Sequence, residues 1–472
     1  MHRRRTKIVC TLGPATESVE GIASLLEAGM DVVRLNFSHG DREDHRQKIH
    51  RIREVSKSLG REVGILQDLG GPKIRLGELP EEGIHLEVGS TVDLGVDGKA
   101  EPGVLPVSYP HLLEDVGVGE PILLADGLAE LEVREVKKDR LRCRVVIGGT
   151  VTSRKGVNLP QANLRVAAFT EKDRADLEVG LEEGVDFVAL SFVRHEDDLA
   201  PVRERISQQD HPPMLIAKIE KPQAVDRLQP ILEAVDGAMV ARGDLGVEMP
   251  PEKVPMIQKE IIAAARRAGR PVITATQMLR SMVDSPRPLR AEASDVANAV
   301  LDGTDAVMLS EETAIGNYPV EAVRVLHRVA LEAEPEIDHA EMLSDSQSPS
   351  VPDVTGAISR AACELAADVG AAAIVTTTAS GDTARLVARL RPATPIIAMT
   401  TSKAVARQLN LSWGVISAAA NQTESTELLG GAILAELTRL GLGGKGMRVV
   451  ITAGLPLGSS DSTNVIRVEE LA

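Results

Sequence analysis

Lys218 and Glu220 stand two positions apart in the apolar run "MLIAKIE", a spacing that could do chemistry. Side chains alternate along a β-strand, so both would point to the same side of a sheet. Asp244 follows the next apolar run, "GAMVAR". Two carboxylates from neighbouring strands suit Mg²⁺ (or Mn²⁺), whose remaining positions stay open to substrate oxygens.

Cations are expected around this acidic pair. Arg34 ends another apolar run, and the stretch "QDLGGPKIR" (67–75) sets Asp68, Lys73 and Arg75 around a Gly-Gly-Pro turn. Such a turn could simply be solvated, or it could hold an anion. Together with Lys218, these cations suit a phosphate or a carboxylate. The combination predicts a Mg²⁺-dependent site for a phosphorylated acid.

The elements that must position these residues are eight strand–helix units. Each begins with a short run rich in β-branched residues, typical of a strand buried on both faces of a parallel sheet, and continues with helical periodicity. The runs start near positions 6, 32, 63, 186, 214, 237, 271 and 305. Eight such units predict a (β/α)8 (TIM) barrel, in which active sites lie at the carboxyl ends of the strands.

Polar residues follow seven of the eight predicted strands. In strand order they are Arg34, Asn36, Ser38 and His39 (two), Asp68, Lys73 and Arg75 (three), Ser191 (four), Lys218 and Glu220 (five), Arg242, Gly243 and Asp244 (six), Thr276 and Gln277 (seven), and Ser310, Glu311 and Glu312 (eight). Any one of them could instead face solvent or cap a helix. We favour that interpretation for Ser191, Gln277 and Ser310.

Two further domains are predicted beside the barrel. Between strands three and four the chain gains short alternating stretches such as "RLRCRVVIGGTV", which favour a small β-barrel or other all-β domain at 70–164. A polar, Pro/Ser-rich linker near 341 opens a C-terminal α/β domain at 341–472. The barrel itself is expected to comprise 1–69 and 165–340.

Composition excludes several classes of function. The chain has a formal charge of −16 and about 1% aromatic residues, which argues against nucleic-acid binding. No apolar run approaches the roughly 20 residues that span a bilayer, so no membrane partner is expected. Three widely spaced cysteines fit reduced thiols in the cytoplasm better than disulfides.

A second phosphate site is predicted in the C-terminal domain. In "IVTTTASGDTARLVARLRP" (374–392) a strand enters a loop that opens a helix, which brings hydroxyls and backbone N–H groups together. The candidate residues are Thr378, Ser380, Gly381 and Thr383. A plain helix cap is the alternative.

Many long motifs resemble the pyruvate kinase family. They include "TKIVCTLGPAT", "VRLNFSHG", "GPKIR", "RKGVNLP", "MLIAKIEKPQAV", "MVARGDLGVE", "TATQML" and "AEASDVANAVLDGTDAVMLSEETAIGNYP". They occur in order over nearly the whole chain. The resemblance implies phosphoryl transfer from phosphoenolpyruvate to ADP, giving pyruvate and ATP, with the insert as a lid and a homotetrameric assembly.

The resemblance also implies roles for single residues. Lys218 would balance the charge of the phosphoryl group, Glu220 and Asp244 would hold the divalent ion, and Thr276 would order a water beside the enolate carbon. The remaining substrate contacts would come from Arg34, Arg75, and the backbone of Arg242 and Gly243.

Two more sites follow from the resemblance. Asn36, His39, Arg75 and Lys155 would face the nucleotide. The family's monovalent-cation site would be surrounded by Asn36, Ser38, Asp68, Leu69 and Ser191.

The sequence departs from the family pattern in the opening turn. Many members carry Glu where this chain has Lys73, and they require K⁺. We expect the ammonium of Lys73 to replace K⁺ and to pair with Asp68, so that K⁺ is not required. The alternative is that Lys73 lies in solvent and the site still binds K⁺.

The proposed effector loop departs too. Asp382 stands where a cation often does, and "LPLGSSDST" (455–463) lacks the Trp and Arg of bisphosphate-binding loops. The expected effector is therefore a monophosphate, either a sugar phosphate or AMP. Two rival functions stay open: a Mg²⁺-dependent aldolase or lyase acting on pyruvate enolates, and a non-catalytic effector-binding relative.

Overall fold

The computed structural model describes residues 4–96, 103–162, 164–345, 354–419, 426–454 and 463–471. Eight parallel strands close into a barrel in which strand one pairs with strands two and eight, as the eight strand–helix units predict. The strands, numbered one to eight in chain order, are Lys7–Thr11, Val32–Asn36, Gly64–Leu69, Phe187–Leu190, Met214–Ile219, Gly237–Ala241, Val272–Ala275 and Ala306–Leu309.

Helices cover the outside of the barrel. Their starts are set locally: Thr170, for example, forms a capping box with Asp173 at the start of Glu171–Glu182. The helices are Val19–Ala28, Arg42–Ser58, Glu171–Glu182, Ala200–Ile206, Pro222–Asp226, Leu228–Ala234, Arg242–Glu248, Val254–Arg267, Arg290–Leu301, Glu311–Ala314, Pro319–Ala333 and His339–Asp345, with 3-10 turns at Glu196–Leu199, Pro251–Lys253, Arg280–Val283 and Glu334–Glu336.

The described part of the insert at 70–164 is all-β apart from the single helical turn Leu112–Asp115. Its six-stranded sheet has Val157–Asn158 at one edge and Val104–Val107 at the other. Arg75 bridges to Gly156 and Leu76 bridges to Val107, so one short segment joins both edges and closes the sheet as a small barrel. In chain order the strands are Ile84–Leu86, Thr91–Val96, Val104–Val107, Pro121–Leu124, Ala129–Val136, Arg140–Ile147, Gly149–Val151 and Val157–Asn158.

The C-terminal α/β domain is built on a five-stranded sheet. Four strands are parallel, and Val465–Glu470 pairs antiparallel at one edge. In sheet order the strands are Val415–Ala419, Ile396–Thr400, Ala373–Thr377, Arg448–Ala453 and Val465–Glu470. The helices are Val354–Asp368, Asp382–Ala388, Lys403–Gln408 and Thr426–Leu440, with a 3-10 turn at Leu409–Leu411. Leu411 packs in the same buried cluster as Val9, Leu66 and Phe187 of the barrel interior.

The amino ends of the barrel strands carry a repeated device. An aspartate precedes each even-numbered strand and accepts the N–H of a residue at the start of the preceding odd-numbered strand in the barrel. The pairs are Asp31 with Ile8, Asp186 with Ile65 and Asp236 with Leu215, each at 2.8 Å, and Asp305 with Val272 at 3.1 Å. Each aspartate also forms an ion pair with arginine: Arg4, Arg53 with Arg407, Arg203 and Arg391, respectively.

The C-terminal domain completes this ring of ion pairs. Arg407 reaches Asp186 at 2.7 Å and Arg391 reaches Asp305 at 2.8 Å. Arg391 is fully buried, and its guanidinium lies 5.2 Å from the centre of the Trp413 ring. The domain is therefore joined to the amino end of the barrel by buried charges as well as by apolar packing.

Within the described ranges, no helix has the length and apolar character needed to cross a membrane. The three cysteines Cys10, Cys143 and Cys363 are buried and unpaired.

Candidate active site

Lys218 lies at the centre of the charged groups at the carboxyl end of the barrel. Its ammonium is 2.8 Å from Glu220 Oε1 and 3.4 Å from Asp68 Oδ1, and it donates a hydrogen bond to Ser191 Oγ at 2.7 Å. These groups come from strands three and five and from the residue after strand four. The structure thus brings together residues that are up to 152 positions apart in the chain (220 minus 68).

The surrounding carboxylates keep Lys218 charged. Burial lowers the pKa of its ammonium, but Asp68, Glu220 and Asp244 more than offset burial, so the net direction is well above the ordinary value. Glu220 shows the opposite balance. Burial, and then the charge of Asp244, raise the pKa of its carboxyl, although Lys218 and the N–H of Phe192 favour the ionised form.

Arg34 is fixed beside this cluster. It contacts Asp68 Oδ2 through Nε and Nη2, each at 2.7 Å, and its Nη1 donates to Thr11 Oγ1 at 3.0 Å. Burial raises the pKa of the Asp68 carboxyl, but Lys218 and Arg34 outweigh it and hold that pKa below its usual range. Asp68 therefore works as a buried anchor for two cations.

Glu220 and Asp244 fit a divalent cation. Glu220 is fully buried and its Oε2 accepts the N–H of Phe192 at 2.8 Å, which fixes the carboxylate. Its Oε1 touches Lys218 but has no hydrogen bond of acceptable angle to any described residue. Across the described ranges, no group of three or more His, Cys, Asp or Glu side chains could hold a metal. An ion held here by two carboxylates would complete its shell with water or substrate oxygens.

Thr276 adopts an unusual backbone conformation at this mouth. Its φ is +68°, a region that β-branched residues rarely occupy outside functional sites. Its hydroxyl accepts the N–H of Gly243 at 2.7 Å and donates to the carbonyl of Ala275 at 2.6 Å. The threonine hydroxyl is thereby fixed between the ends of strands six and seven.

The side chain of Arg242 points away from the mouth. Its guanidinium donates to Asp295 Oδ1 at 2.7 Å and to the Thr276 carbonyl at 2.8 Å. The Arg242 side chain is therefore occupied, and any contact of this segment with a substrate is expected from its backbone.

The Gly-Gly-Pro turn corrects one expectation. Lys73 is exposed, and its side chain makes no ion pair or hydrogen bond to any residue that the structure describes, so the expected Lys73–Asp68 pair is wrong. Asp68 is buried and already contacts Arg34 and Lys218. The turn also directs the Lys73 chain toward the insert, where its Cε lies 3.7 Å from the ideal Cβ position at Gly156.

Lys73 instead lines a cleft of about 500 Å³ between the barrel and the insert. Asp244 and Lys221 line the barrel side, and Asn158 lines the insert side. Arg75 is partly buried on the same rim, where its Nη1 donates to the carbonyl of Arg154 at 3.1 Å. The turn thus provides cations at the entrance of a cleft that leads to a metal-binding candidate.

The candidate nucleotide residues lie farther out. His39 and Lys155 are exposed. Burial, followed by the charges of Arg75, Lys73 and Arg34, lowers the pKa of His39, which favours the neutral ring.

The oxygens of the family's monovalent-cation site have protein partners here. Asn36 Oδ1 accepts the N–H of Ser38 at 3.1 Å, and the Leu69 carbonyl accepts the hydroxyl of Ser191 at 2.8 Å. Asp68 is held as described above.

Three strand-end residues were expected to face solvent or cap helices, and the structure gives a different outcome for each of them. The expectation for Ser191 is wrong, because it is 3% exposed and links Lys218 to the Leu69 carbonyl. Gln277 is exposed, in line with the expectation. Ser310 precedes the helix Glu311–Ala314 but makes no side-chain cap.

The two glutamates after strand eight have structural partners. Glu311 pairs with Arg280 at 2.8 Å, and the buried Glu312 accepts the N–H groups of Leu279 and Ser310. Neither contacts the Lys218 cluster.

Some supporting residues were not predicted. Thr11 ends strand one and positions Arg34, and a survey of that strand end would have found it. Glu248 accepts hydrogen bonds from Lys221 Nζ at 2.6 Å and from Asn158 Nδ2 at 2.8 Å. These bonds connect the insert to the barrel. The sequence does not reveal the Lys221–Glu248 contact, because a Lys–Glu pair 27 positions apart follows no local periodicity.

The predicted effector loop is closed by its own hydrogen bonds. Thr378 Oγ1 accepts the N–H of Gly381, whose φ is +87°, and Ser380 Oγ donates to Asp382 at 2.6 Å. Thr383 is buried and its hydroxyl bonds that of Thr463 at 2.5 Å. The rest of the 455–463 stretch lies outside the described residues.

Asp382 is partly neutralised. Burial raises the pKa of its carboxyl, but Arg385 at 2.8 Å and Ser380 more than offset burial, so the group stays ionised and paired. The repulsion that was expected of this carboxylate is therefore weaker than for an unpaired one.

A closed (β/α)8 barrel with a buried lysine, an arginine and an open carboxylate pair at its mouth belongs to the class of barrel enzymes that act on anionic substrates with a metal ion. Two family models match the chain: "Pyruvate kinase, barrel domain" over residues 3–323 and "Pyruvate kinase, alpha/beta domain" over residues 356–469.

Whole-chain relatives agree. The chain is 48% identical to a pyruvate kinase of Geobacillus stearothermophilus, over 100% of this chain and 81% of the relative. It is 46% identical to one of Bacillus licheniformis, over 98% and 80%. A crystal structure of a pyruvate kinase from Cryptosporidium parvum superposes with a TM-score of 0.94 at 39% identity, over 99% of this chain and 96% of that one. The chain belongs to the pyruvate kinase family and is a phosphotransferase.

Family membership does not favour the aldolase, lyase or non-catalytic alternatives. It implies phosphoenolpyruvate and ADP as substrates and dependence on a divalent metal ion in general.

Proposed function

We propose that the carboxyl end of this barrel transfers the phosphoryl group of phosphoenolpyruvate to ADP, with Lys218 as the central catalytic residue. The observation that carries this is the buried ammonium of Lys218, held between Asp68 and Glu220. A fixed positive charge stabilises the charge that spreads over a transferring phosphoryl group. Because Asp68 and Ser191 hold the ammonium in place, it needs no reorganisation during transfer.

Glu220 and Asp244 would hold Mg²⁺ or Mn²⁺. When bound, the ion supplies Lewis-acid stabilisation of the negative charge on the substrate's oxygens. Glu220 supports this role through its buried carboxylate, which is fixed by the N–H of Phe192 and by Lys218 and lies close enough to Asp244 for their charges to interact. Asp244 adds the second carboxylate at the open side, facing the cleft.

Cations and backbone groups would orient the substrates. Arg34, fixed by Asp68 and Thr11, and Arg75 on the rim are placed to bind phosphates. The backbone around Arg242 and Gly243 would help hold the substrate carboxylate, although the Gly243 N–H now donates to Thr276 Oγ1 at 2.7 Å and would have to exchange that partner for the substrate. Asn36, His39 and Lys155 would face the nucleotide, with the insert as a lid that excludes water from the phosphoryl donor.

Thr276 would take part in protonating the enolate carbon that transfer leaves behind. A threonine hydroxyl is too weak an acid to supply the proton alone. Its hydroxyl is fixed by Gly243 and Ala275, so we assign it to the ordering of a water molecule.

The test compares Lys218→Met with Lys48→Met in an assay of ATP formation from phosphoenolpyruvate, ADP and Mg²⁺. Lys48 is a matched control because its ammonium is also buried between two carboxylates, Asp44 and Glu17, but on the helix Arg42–Ser58. We expect Lys218→Met to lose about 10²–10³-fold in rate and to keep its binding of Mn²⁺. Transfer that survives within tenfold would show that the role is misassigned.

We further propose that the enzyme works without K⁺. The support is the local charge and not the expected pair: Arg34 and Lys218 already neutralise Asp68, and Asn36 Oδ1 and the Leu69 carbonyl already accept protein hydrogen bonds. Lys73 is exposed and directed toward the insert, so solvent screens its charge and it adds little repulsion at the cation site.

Assays in tetramethylammonium salts at constant ionic strength, before and after K⁺ is added, test this. We expect less than a twofold change for the unmodified enzyme. A tenfold rise would mean that K⁺ is required. Lys73→Glu is expected to create a partial K⁺ requirement, because Leu69 and Gly70 stay in place of the usual residues.

We also propose a monophosphate effector, a sugar phosphate or AMP, at Thr378, Ser380, Gly381 and Thr383, and a homotetrameric cytoplasmic enzyme. Calorimetry with glucose 6-phosphate, ribose 5-phosphate, AMP and fructose 1,6-bisphosphate compares the ligands, and light scattering measures the assembly. Tight binding by the bisphosphate alone would contradict the effector proposal.

A further inference from the structure

A second cationic pocket lies where the C-terminal domain meets the amino end of the barrel, at the opposite end from the mouth. Its volume is about 200 Å³. Its charged and polar lining residues are Arg266, Arg270, Arg385, Arg389, Asp305 and Ser412. We call it the joint pocket. The first two arginines come from the barrel and the next two from the C-terminal domain.

Arg270 is the cation that most needs an anion. Its Nε donates to the carbonyl of Leu232 at 3.2 Å, and it has no carboxylate within ion-pair distance among the described residues. Burial, and then the charge of Arg385, lowers the pKa of its guanidinium. The nearby Asp236 is already paired with Arg203 at 2.8 Å. A partly buried guanidinium with most of its donors uncommitted is an incomplete arrangement.

Ser412 gives an independent sign of a missing ligand. It is 1% exposed, it lines the pocket, and its hydroxyl has no hydrogen-bond partner in the part of the chain that the structure describes. Buried hydroxyls are rarely left without a partner, because desolvation of an unbonded polar group is costly.

The carboxylate in the lining would not repel an anion strongly. Asp305 pairs with Arg391 at 2.8 Å and accepts the N–H groups of Val272 and Trp413 at 3.1 and 2.9 Å. Its charge is thus balanced by Arg391 and by two backbone N–H groups. Arg266 and Arg389 each donate to a backbone carbonyl, of Met342 and Arg267, so their guanidinium groups are held in place.

We propose that the joint pocket binds a phosphate-sized oxyanion, as inorganic phosphate or as the phosphate group of a small ester, through Arg270, Arg385 and Ser412. Arg385 connects the joint pocket to the loop 378–383, because its Nη2 donates to Asp382 and to the Ser380 carbonyl, each at 2.8 Å. An anion in the joint pocket would compete for Arg385 and release the loop 378–383.

The direct test is a selenate soak of crystals of the unmodified enzyme, followed by an anomalous difference map. A peak among Arg270, Arg385 and Ser412 supports the proposal. Peaks only at the barrel mouth or at the loop 378–383 would overturn it.

The solution test is calorimetry of the enzyme free of divalent ions, with inorganic phosphate in one arm and glycerol 3-phosphate in the other. Ser380→Ala in the background weakens any site at the loop. We expect Arg270→Met to weaken binding about tenfold, as for a lost charge-assisted hydrogen bond, and Ser412→Ala to weaken it about threefold. Arg61→Met is the matched control, because its guanidinium also donates to one backbone carbonyl, that of Leu26.

Binding of either ligand that depends on Arg270 and Ser412 supports the site, and the two arms tell whether an ester enters. Equal affinities in all variants would overturn it. Ser412→Ala removes a single buried oxygen, so the test stands even if Arg270→Met folds poorly.

Discussion

The two ends of the barrel carry the same kinds of charged side chain and use them in opposite ways. At the amino end, Asp31, Asp186, Asp236 and Asp305 each accept a strand N–H and pair with arginine. At the carboxyl end, Glu220 pairs with Lys218 at 2.8 Å, but burial and the charge of Asp244 raise the pKa of its carboxyl. The first arrangement gives each carboxylate an arginine and a strand N–H, whereas the second sets two carboxylates close to each other.

Strained backbone occurs at both ends. Phe192, Thr276 and Gln277, which lie within two residues of the ends of strands four and seven, have positive φ values of 59°, 68° and 56°, and Arg391 at the amino end has a φ of 50°. Each conformation costs stability that the rest of the fold must supply. The two ends differ in how their carboxylates are paired and not in backbone strain. Substitutions at the two ends should therefore separate activity from stability.

The largest expected effect is on turnover, from Glu220→Gln. It removes a metal-binding charge, so we expect a loss of about 10²–10³-fold in kcat. Because the neutral amide relieves burial of a charge beside Asp244, the urea midpoint should stay the same or rise.

Glu312→Gln is the matched control for that variant. Glu312 is also a buried carboxylate at the carboxyl end, but its oxygens accept two backbone N–H groups. We expect it to lower stability and to change kcat much less. A Glu220→Gln enzyme that loses stability but keeps its turnover would break the comparison.

Asp305→Asn should give the reverse result at the amino end. It leaves Arg391, which is fully buried, without its carboxylate. Breaking such a pair costs about 3–5 kcal/mol. We expect that loss in the apparent free energy of unfolding in urea, with kcat of the folded enzyme within about threefold of the original. A large loss of kcat with unchanged unfolding would show that the amino end is not merely structural.

The sequence predicts the carboxyl end better than the amino end, for a physical reason. Alternation along a strand puts Lys218 and Glu220 on one face, and strand ends converge in any parallel barrel. The ring of aspartates depends on partners such as Arg391 and Arg407, which come from another domain. Hydrophobic periodicity encodes which positions are buried, and it does not encode which distant groups pair there.

The same limit explains the errors at the mouth. Lys73 was expected to pair with Asp68 because its ammonium could stand where K⁺ would, but the turn directs the lysine toward the insert. Gly71 has a φ of +62° there, and a Cβ at this position would lie 2.7 Å from the Phe192 ring. The direction of the chain after the turn thus depends on a residue of strand four's loop, which local sequence does not reveal.

A pH effect of intermediate size is expected at Asp31. Burial raises its pKa, but Arg4, Lys7 and the N–H of Ile8 outweigh burial, so the folded pKa lies below the unfolded one. Its contribution to stability is then complete above the ordinary Asp pKa of about 4 and is lost as the pH falls through the folded pKa.

We therefore expect Asp31→Asn to be less stable than the original chain by about 1–2 kcal/mol at pH 7, and this difference should shrink at pH 4 and pH 3. Urea unfolding at each pH measures it. A difference that stays constant with pH would mean that the charge of Asp31 is not what stabilises the strand.

The smallest expected effect tests how the mouth holds its central cation. Ser191 is only 3% exposed. Its Oγ accepts a hydrogen bond from the Lys218 ammonium at 2.7 Å and donates one to the Leu69 carbonyl at 2.8 Å. Ser191→Ala removes both bonds but leaves Asp68 and Glu220 in contact with the ammonium. A net hydrogen bond contributes about 1 kcal/mol, so kcat should fall about fivefold while KM for ADP stays unchanged. Ser191→Thr should restore most of the rate, because it returns the hydroxyl. If Ser191→Ala instead matches Lys218→Met, the hydroxyl rather than the carboxylates places the ammonium, and if it changes nothing, Asp68 and Glu220 suffice.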